Sequence, residues 1–386
     1  LKICNYHECR IIKILHSQDT QMLKSSFPIN HIQTVCSVLQ RKLIFRRMAA
    51  KQSPTIPKFV PIDGSDIKSA QGIMFSLVSY NILAQVYVKS SYFPRSPSAC
   101  LKSKARSSAV LSVLKNIGAD FFCLQELDQF ESFYKRELED CGYSSIYVQR
   151  SGTKRDGCGI IFNSNRAESL VKETIEFNDL ARAVDNSSSI SLEELSSSRD
   201  VTNPRVRLKR DCVGIMAAFK LKSSAPAILI VANAHLYWDP ALADVKLAQA
   251  KYLVERLRQF HRTVEERYGC SPAVVVAGDF NSTPGDRVYE YIVKESDGDD
   301  ELLRPLRSCY GETIGEPVFT NWSIDFTGTL DYVFYSPSDR LRPVSLLQLP
   351  DKESADVAAG LPNFLYPSDH LPIGAIFEYV LSSDSY

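Results

Sequence analysis

The sequence lacks several features that would assign it quickly to a class of protein. Its 386 residues contain no CxxC pair and only six histidines, so a zinc site is not expected. Basic and acidic residues number 45 each, which excludes a global basic field that would attract nucleic acid. No apolar run approaches the length of a membrane span. We therefore expect a soluble protein without a membrane partner, in which any nucleic acid is held by a local patch or a metal.

The ten cysteines do not indicate a disulfide framework. Cys123, Cys158 and Cys212 lie inside or beside apolar runs that are typical of strands. They are predicted to be small buried hydrophobic residues of a reducing compartment, which favours the cytoplasm or the nucleus.

Acidic residues are absent between residues 20 and 62, whereas basic residues such as Lys24, Arg46 and Arg47 occur there. This composition is typical of a transit peptide, so residues 1–70 are predicted to be an N-terminal extension that directs the chain to a mitochondrion or another organelle. The alternative is that the true start is Met48. Residues 71–386 are predicted to form one catalytic domain, interrupted by a serine-rich surface loop at 182–200.

The stretch AVVVAGDFNSTP, residues 273–284, is the feature around which the chain is organised. Its apolar start predicts a core strand with both faces covered. Asp279 and Asn281 follow two residues apart, so their side chains would leave the backbone on the same side if extended geometry persisted. The alternative is an Asx turn closed by Pro284.

Other apolar runs also end in acid, amide or imidazole groups. Predicted strands at 74–78, 121–125 and 227–234 precede Asn81, Glu126 and His235. A strand at 329–335 contains Asp331, and a last strand at 372–379 follows Asp369 and His370. Helices are predicted at 101–117, 129–139 and 241–260, with a short one from 286.

These side chains together indicate a chemistry. Carboxylates and amides are the oxygen ligands that Mg²⁺ prefers, and imidazoles move protons. No serine or cysteine nucleophile elbow is recognised. A buried carboxylate inside an apolar strand is costly, so Asp331 is expected to have a partner. The set suits metal-assisted attack of water on a phosphodiester. Taken singly, Glu126 could instead begin a helix and His235 could be a core histidine.

Seven motifs occur in a fixed order between residues 79 and 373: SYNIL, LQELD, DGCGIIF, NAHLYWDP, GDFNSTP, LDYVFYS and PSDHLPI. They resemble the endonuclease/exonuclease/phosphatase superfamily, and most closely its carbon catabolite repressor four-like deadenylases. Nocturnin and the Angel proteins are similar. The resemblance implies a four-layer α/β sandwich of the deoxyribonuclease I type, with two packed mixed β-sheets flanked by helices. It also implies a 3′ to 5′ exoribonuclease that removes poly(A) tails from mRNA and releases AMP.

The resemblance further implies roles for individual residues. Glu126, Asn81 and Asp369 would hold one or two Mg²⁺ ions, which Mn²⁺ could replace. Catalytic roles fall to Asp279, Asn281, His370, His235 and Asp331. Phe326 and Pro240 would stack on the terminal adenine, and Asn281 would also orient the phosphate.

Arg205, Arg207, Lys209 and Arg210 lie before an apolar run, and residues 205, 207 and 209 are at period two. A basic strip along the phosphate backbone of single-stranded RNA is predicted there. A charged edge strand is the alternative.

Two departures and two alternatives remain open. The leucine-rich repeats that dock related deadenylases to a larger complex are absent from the sequence, which makes such docking doubtful. No function is assigned to the serine-rich loop. One alternative is a phosphatase for small nucleotides or RNA ends, as in nocturnin or the Angel proteins. The other is a catalytically silent RNA-binding protein, which is disfavoured because no site position is replaced.

Overall fold

The computed structural model describes residues 53–63, 72–186, 202–223, 227–294, 305–337 and 340–380. All of the helices and strands below lie in one unit, Pro54–Tyr386. Residues 1–52 lie outside the described residues, as does the predicted serine-rich loop from residue 187 to 200. The transit peptide therefore stays a prediction.

The strands are numbered in chain order. They are β1 Phe59–Pro61, β2 Ile73–Asn81, β3 Phe121–Gln125, β4 Tyr143–Gln149, β5 Gly157–Asn163, β6 Ala167–Glu176, β7 Val213–Leu221, β8 Ile228–His235, β9 Ala273–Asp279, β10 Arg307–Ser308, β11 Asn321–Trp322, β12 Thr327–Gly328, β13 Asp331–Tyr335, β14 Leu341–Leu347 and β15 Ile373–Tyr379. The α-helices are α1 Ser103–Ile117, α2 Lys135–Glu139, α3 Asp179–Asn186, α4 Pro204–Leu208, α5 Ala243–Tyr268 and α6 Arg287–Val293. A π-helical turn, Phe130–Tyr134, precedes α2, and 3₁₀ turns occupy Gln85–Tyr87 and Pro240–Leu242.

The strands form two large mixed sheets. The seven-stranded sheet has the order β1-β14-β15-β2-β3-β5-β4, and β2 and β3 are its parallel pair. The six-stranded sheet has the order β10-β13-β9-β8-β7-β6, and β8 and β9 are its parallel pair. Strands β11 and β12 form a separate hairpin.

The fold has four layers, because the two sheets pack face to face and helices cover their outer faces. The inner faces pack on each other in a core to which both contribute, as when Phe121 of β3 meets Phe219 of β7 with ring centroids 5.1 Å apart. Helices α5 and α6 cover the outer face of the six-stranded sheet, and α1 covers that of the seven-stranded sheet. The predicted four-layer α/β sandwich is therefore confirmed.

Strand β9 is buried along its whole length because it lies between the inner core and α5. This explains why its sequence shows no alternation. Gly278 lies opposite Ala234 of β8, where a Cβ atom would be 2.0 Å from the Ala234 carbonyl oxygen. Only glycine allows β8 and β9 to stay paired up to their last residues, His235 and Asp279.

A buried polar network links the two sheets behind this point. Asn233 of β8 donates through Nδ2 to the carbonyl oxygens of Leu124 and Gly159, each at 2.9 Å. Its Oδ1 accepts from Gln125 Nε2 at 2.8 Å. Strands β3 and β5 of one sheet are thereby bonded to β8 of the other, which fixes their relative position.

Asn233→Ala is expected to destabilise the fold by about 2 to 4 kcal/mol, because it leaves two buried carbonyl oxygens without their side-chain donor and removes one of the three acceptors of Gln125 Nε2. Urea denaturation measures the free energy of unfolding. Asn165→Ala, at an exposed position, is the matched control and should stay within about 0.5 kcal/mol of the parent. Equal stability of the two variants would contradict the linking role of Asn233.

The structure also corrects or extends several predictions. The sheet begins at β1, before the predicted domain boundary at residue 71. The first residues of the predicted serine-rich loop belong to α3. Cys123, Cys158 and Cys212 are buried free thiols, as predicted. None of the helices in the described ranges is both long and apolar enough to cross a lipid bilayer.

Candidate active site

The six-stranded sheet places three predicted residues side by side. Asp279, the last residue of β9, lies in register with His235 at the end of β8. On its other side it lies in register with Asp331, the first residue of β13. Strands β8 and β9 are parallel and β13 is antiparallel to them, so two strand ends and one strand start meet at the same edge of the sheet.

Asp279 is the centre of the site. Its Oδ2 atom lies 3.6 Å from His235 Nε2 and 3.6 Å from His370 Nε2. The same oxygen accepts a hydrogen bond of 2.9 Å from Nδ2 of Asn81, the last residue of β2 in the other sheet. One buried carboxylate therefore receives groups from both sheets and from the loop before β15.

His370 and Asp331 form a dyad. His370 Nδ1 and Asp331 Oδ2 are 2.8 Å apart, and the Thr320 hydroxyl donates to the same oxygen at 2.6 Å. This is the partner that the sequence required for Asp331. A β-bridge between His370 and Asn321 connects the loop to the β11–β12 hairpin. An imidazole whose Nδ1–H donates to a carboxylate presents Nε2 to the substrate.

Glu126 lies directly after β3 with a φ of 52°, a left-handed conformation that few non-glycine residues adopt. Its Oε1 accepts from Asn81 Nδ2 at 3.2 Å, and its Oε2 accepts from the Ala84 backbone N–H at 2.9 Å. Asn81 Oδ1 in turn accepts from the backbone N–H of Leu83. In this arrangement the amide nitrogen of Asn81 joins the carboxylates of Glu126 and Asp279.

The electrostatics of this region favour a cation. Burial raises the pKa of Glu126 to about 8, with the negative charges of Asp369 and Asp156 adding to the effect. Burial and the nearby Asp331 carboxylate raise the pKa of Asp279 above its ordinary value. Within the described residues, no lysine or arginine forms a salt bridge with Glu126 or Asp369.

The two histidines differ in charge state. Burial lowers the pKa of His235 to about 4, against the attraction of Asp279, so this imidazole is neutral at pH 7. Burial also disfavours the charged form of His370, but Asp331 and Asp279 outweigh it and raise the pKa of His370 well above its ordinary value. The site thus combines one neutral imidazole with one imidazolium.

These residues fit a divalent metal ion. Asp279, Asp331 and His370 are buried, and their side-chain nitrogen and oxygen atoms lie within 4.8 Å of one another. Because an imidazolium has no lone pair for a metal, the carboxylates of this group are the ligands that a cation could use. Asp331 Oδ1 is buried without a hydrogen-bond partner. Glu126 and Asp369 provide further carboxylates close by, which is the type of ligand that a hard cation prefers.

Asn281 reaches the site in a different way from the predicted extended one. Its φ of 49° turns the backbone, and its N–H donates to Asp279 Oδ1 at 2.9 Å. Asn281 Nδ2 donates to the carbonyl oxygen of Leu236, and Lys246 Nζ donates to the carbonyl oxygen of Asn281. The Asx-turn alternative therefore describes the backbone correctly, because the side chain of Asp279 caps the turn.

The predicted substrate residues lie at the surface. Phe326 is 36% exposed in the turn of the β11–β12 hairpin, whose first strand is bridged to His370. Pro240 is exposed in the 3₁₀ turn that follows His235 by five residues.

The predicted basic strip is wrong in its geometry. Arg205 and Arg207 lie on the short helix α4, so period two does not place them on one strand face. Arg207 forms a bidentate pair with Asp244, with Nε at 2.8 Å and Nη2 at 2.7 Å from its oxygens. That pair neutralises the charge on which the prediction depended.

Several supporting residues have no signal in the sequence. Arg106 of α1 is buried and donates to the carbonyl oxygens of Ile82, Leu83 and Pro367. It thus joins the loop after Asn81 to the loop before His370. Thr320 and Ser368, which bond to Asp331 and to the Asn81 carbonyl, have equally ordinary sequence surroundings.

Comparison with known proteins agrees with this geometry. Carbon catabolite repressor protein 4 homolog 4 of Arabidopsis thaliana is 48% identical over 92% of this chain and 99% of its own length. A protein of Phaeosphaeria nodorum named CCR4-Not complex 3′-5′-exoribonuclease subunit Ccr4 is 29% identical over 87% of this chain, which spans 64% of that relative. The chain of Mycosarcoma maydis with the same name is 29% identical over 79% of this chain, which spans 50% of it.

Solved structures show the same fold. ANGEL2, described as a 2′,3′-cyclic phosphatase, is 25% identical, with a TM-score of 0.65 over 84% of this chain and 99% of its own. The human Nocturnin catalytic domain is 23% identical, with a TM-score of 0.58 over 84% and 97%. The model of the Endonuclease/Exonuclease/phosphatase family matches residues 78–370, which include every residue of the site. The chain belongs to the endonuclease/exonuclease/phosphatase family.

Proposed function

We propose that this protein is a Mg²⁺-dependent 3′ to 5′ exoribonuclease that shortens poly(A) tails and releases AMP. The observation that carries the proposal is the placement of Asp279 between two imidazoles and the Asn81 amide, with the exposed Phe326 on a hairpin bridged to His370. The names of the Arabidopsis and fungal relatives support the same activity.

Each polar residue has a task in this scheme. The His370 imidazolium, oriented by Asp331, stabilises negative charge on the scissile phosphate through Nε2–H. Neutral His235 donates a second hydrogen bond to the scissile phosphate. Asp279 has a raised pKa and lies between them, so it is placed to accept the proton of the attacking water. Asn281, fixed by Leu236 and Lys246, orients the phosphate.

Glu126 and Asp369 would hold Mg²⁺, with Asn81 keeping the Glu126 carboxylate in position. When bound, the cation neutralises phosphate charge and lowers the pKa of water. Mg²⁺ rather than a softer metal is proposed because the donors assigned to it are carboxylates, and neither a thiolate nor an imidazole is among them.

Phe326 is proposed to recognise the base. Its aromatic ring is exposed and folds over Gly328, where a Cβ atom would be 2.7 Å from the ring. The ring is therefore held in place by the hairpin, and an ordered aromatic face is a platform for a stacked adenine.

Phe326→Ala is expected to reduce the preference for adenine over uracil by about tenfold, the effect of losing roughly 1 to 3 kcal/mol of stacking. The ratio of kcat/KM on oligo(A) to that on oligo(U) measures it. Ile324→Ala, at an exposed position in the same turn, is the control and should keep the parent ratio. An unchanged ratio in Phe326→Ala would remove this ring from base recognition.

The decisive experiment follows 5′-labelled oligo(A) and oligo(U) with purified protein, in Mg²⁺ and in Mn²⁺. A ladder that shortens from the 3′ end on oligo(A) supports the proposal. Oligo(A) that stays intact under both metals refutes it.

A second candidate is favoured by the likeness to ANGEL2, which is a phosphatase acting on 2′,3′-cyclic phosphate. The same site would then remove phosphate from an RNA end or a small nucleotide such as NADP. Release of phosphate from a 2′,3′-cyclic RNA end or from NADP, with the oligo(A) chain left intact, would establish this activity instead.

A further inference from the structure

Trp238 is the most exposed aromatic side chain among the described residues, with 64% of its surface accessible. It belongs to none of the hydrophobic clusters that build the fold, so packing does not account for an indole at this position. Trp238 follows His235 by three positions, so their Cα atoms are at most about 10 Å apart. The indole therefore lies close to the site.

A second aromatic ring and a cation lie next to this indole. The ring centroid of Tyr237 is 6.0 Å from that of Trp238, and the guanidinium of Arg210 lies 5.1 Å from the Tyr237 centroid. Arg210, Tyr237 and Trp238 are called the Arg-aromatic track below. The arrangement thus places one exposed indole, one partly buried phenol ring and one positive charge next to one another.

In the described part of the chain, no carboxylate forms a salt bridge with Arg210. Its Nη1 donates to the carbonyl oxygen of Lys209 at 3.5 Å, and its buried Nε has no hydrogen-bond partner there. The neighbouring Asp211 accepts from Asn178 Nδ2 through Oδ1 at 2.8 Å, and Asp239 caps the Ala241 N–H. Among the described residues, the guanidinium of Arg210 is therefore open to a phosphate, in contrast to Arg207, which pairs with Asp244.

A chain of contacts through Arg150 and Tyr87 connects the backbone of the track to the segment that binds Glu126. Arg150 donates from Nη2 to the carbonyl oxygen of Arg210 at 3.3 Å and from Nη1 to the Tyr87 hydroxyl at 3.5 Å. Tyr87 ends the 3₁₀ turn that follows Ala84, whose N–H binds Glu126. The track is thus held in a set position relative to the carboxylates.

We propose that the Arg-aromatic track binds the nucleotides that precede the 3′-terminal residue of a single-stranded RNA, with a base stacked on Trp238 and a phosphate on Arg210. The inference rests on the proposed function and deepens it, because it makes the substrate a chain of several nucleotides. Stacking needs unpaired bases and is tolerant of their identity, so the track adds affinity for length while Phe326 selects adenine.

The test compares the dinucleotide ApA with the decanucleotide A10. Trp238→Ala is expected to lower the ratio of kcat/KM on A10 to that on ApA by about tenfold, the cost of losing one stacked base. Trp238→Phe should restore most of the ratio. Tyr268→Ala is the control, because Tyr268 carries a similar pair with Arg267 at the far end of α5, about 39 Å from its start.

Arg210→Gln supplies an independent readout. Loss of one phosphate contact should reduce the slope of log kcat/KM on A10 against log salt concentration by about one. An unchanged slope would remove Arg210 from RNA binding.

Failure of the track and failure of the proposed function are distinguishable. Binding of 5′-fluorescein A10 is measured by anisotropy in the inactive Glu126→Gln background, with and without Trp238→Ala. A Kd that rises about tenfold supports the track even if the parent protein leaves A10 intact, which would refute only the exonuclease. Equal Kd values and an unchanged length ratio overturn the track while the exonuclease stands.

Discussion

Glu126→Gln is expected to lower kcat at least about 10³-fold while the fold stays intact. The substitution keeps the volume of the side chain but removes its charge. It also places an amide group where Asn81 Nδ2 and the Ala84 N–H both donate, so a donor would face a donor. A carboxylate that burial and neighbouring acids hold at a pKa of about 8 needs a cation to stay ionised, and the neutral amide offers that cation much less.

A metal-binding measurement and a control variant accompany Glu126→Gln. Isothermal titration of Mg²⁺ into the protein should show binding in the parent and a large loss of affinity in Glu126→Gln. Glu131→Gln, with an exposed side chain paired to Lys135, is the matched control and should bind Mg²⁺ and turn over like the parent. Parental turnover in Glu126→Gln would remove this residue from the site.

Asp331→Asn is expected to lower kcat by about 10²- to 10⁴-fold, with little change in KM. The Asp331 carboxylate accepts from His370 Nδ1 and from Thr320, which fixes the orientation of the ring and favours its protonated form. An asparagine lacks the negative charge that raises the pKa of His370. His370 would then be a neutral imidazole, which stabilises negative charge on the phosphate less than the imidazolium does.

Asp325→Asn tests the specificity of this effect, because Asp325 is exposed on the neighbouring hairpin and has no role in the dyad. It should retain the parental kcat. Thermal denaturation of both variants shows whether the fold is kept. A parental kcat in Asp331→Asn would contradict the role of Asp331 in supporting His370.

Elements that are buried on both faces were predictable from sequence. The apolar runs of β2, β3, β8, β9, β13 and β15 are recognisable because a strand covered on both faces is mostly apolar along its length. The motif order predicted the fold class and the family correctly. It could do so because the motifs lie at the ends of these strands.

Strands near the edges of the sheets escaped prediction. Strands β4 and β6 are outer strands of their sheets, and most of their side chains are only partly buried or exposed, so their sequences contain no continuous apolar run. The period-two spacing of Arg205 and Arg207 was misleading because Pro204, preceded by the Asn203 cap, begins a helix there. Local capping outweighed a period-two pattern of only three residues, Arg205, Arg207 and Lys209.

The chain by itself determined which side chains end up at strand termini: Asn81, Glu126, His235 and Asp279 each follow an apolar run. Only the tertiary structure decided which of them meet. Asp279 has His235 and Asp331 beside it through strand pairing, whereas the Asn81 hydrogen bond to Asp279 spans 198 residues and joins two sheets. Periodicity records which face of a strand is buried, but the neighbours of that face are set by how the two sheets pack, through long-range contacts that no local pattern contains.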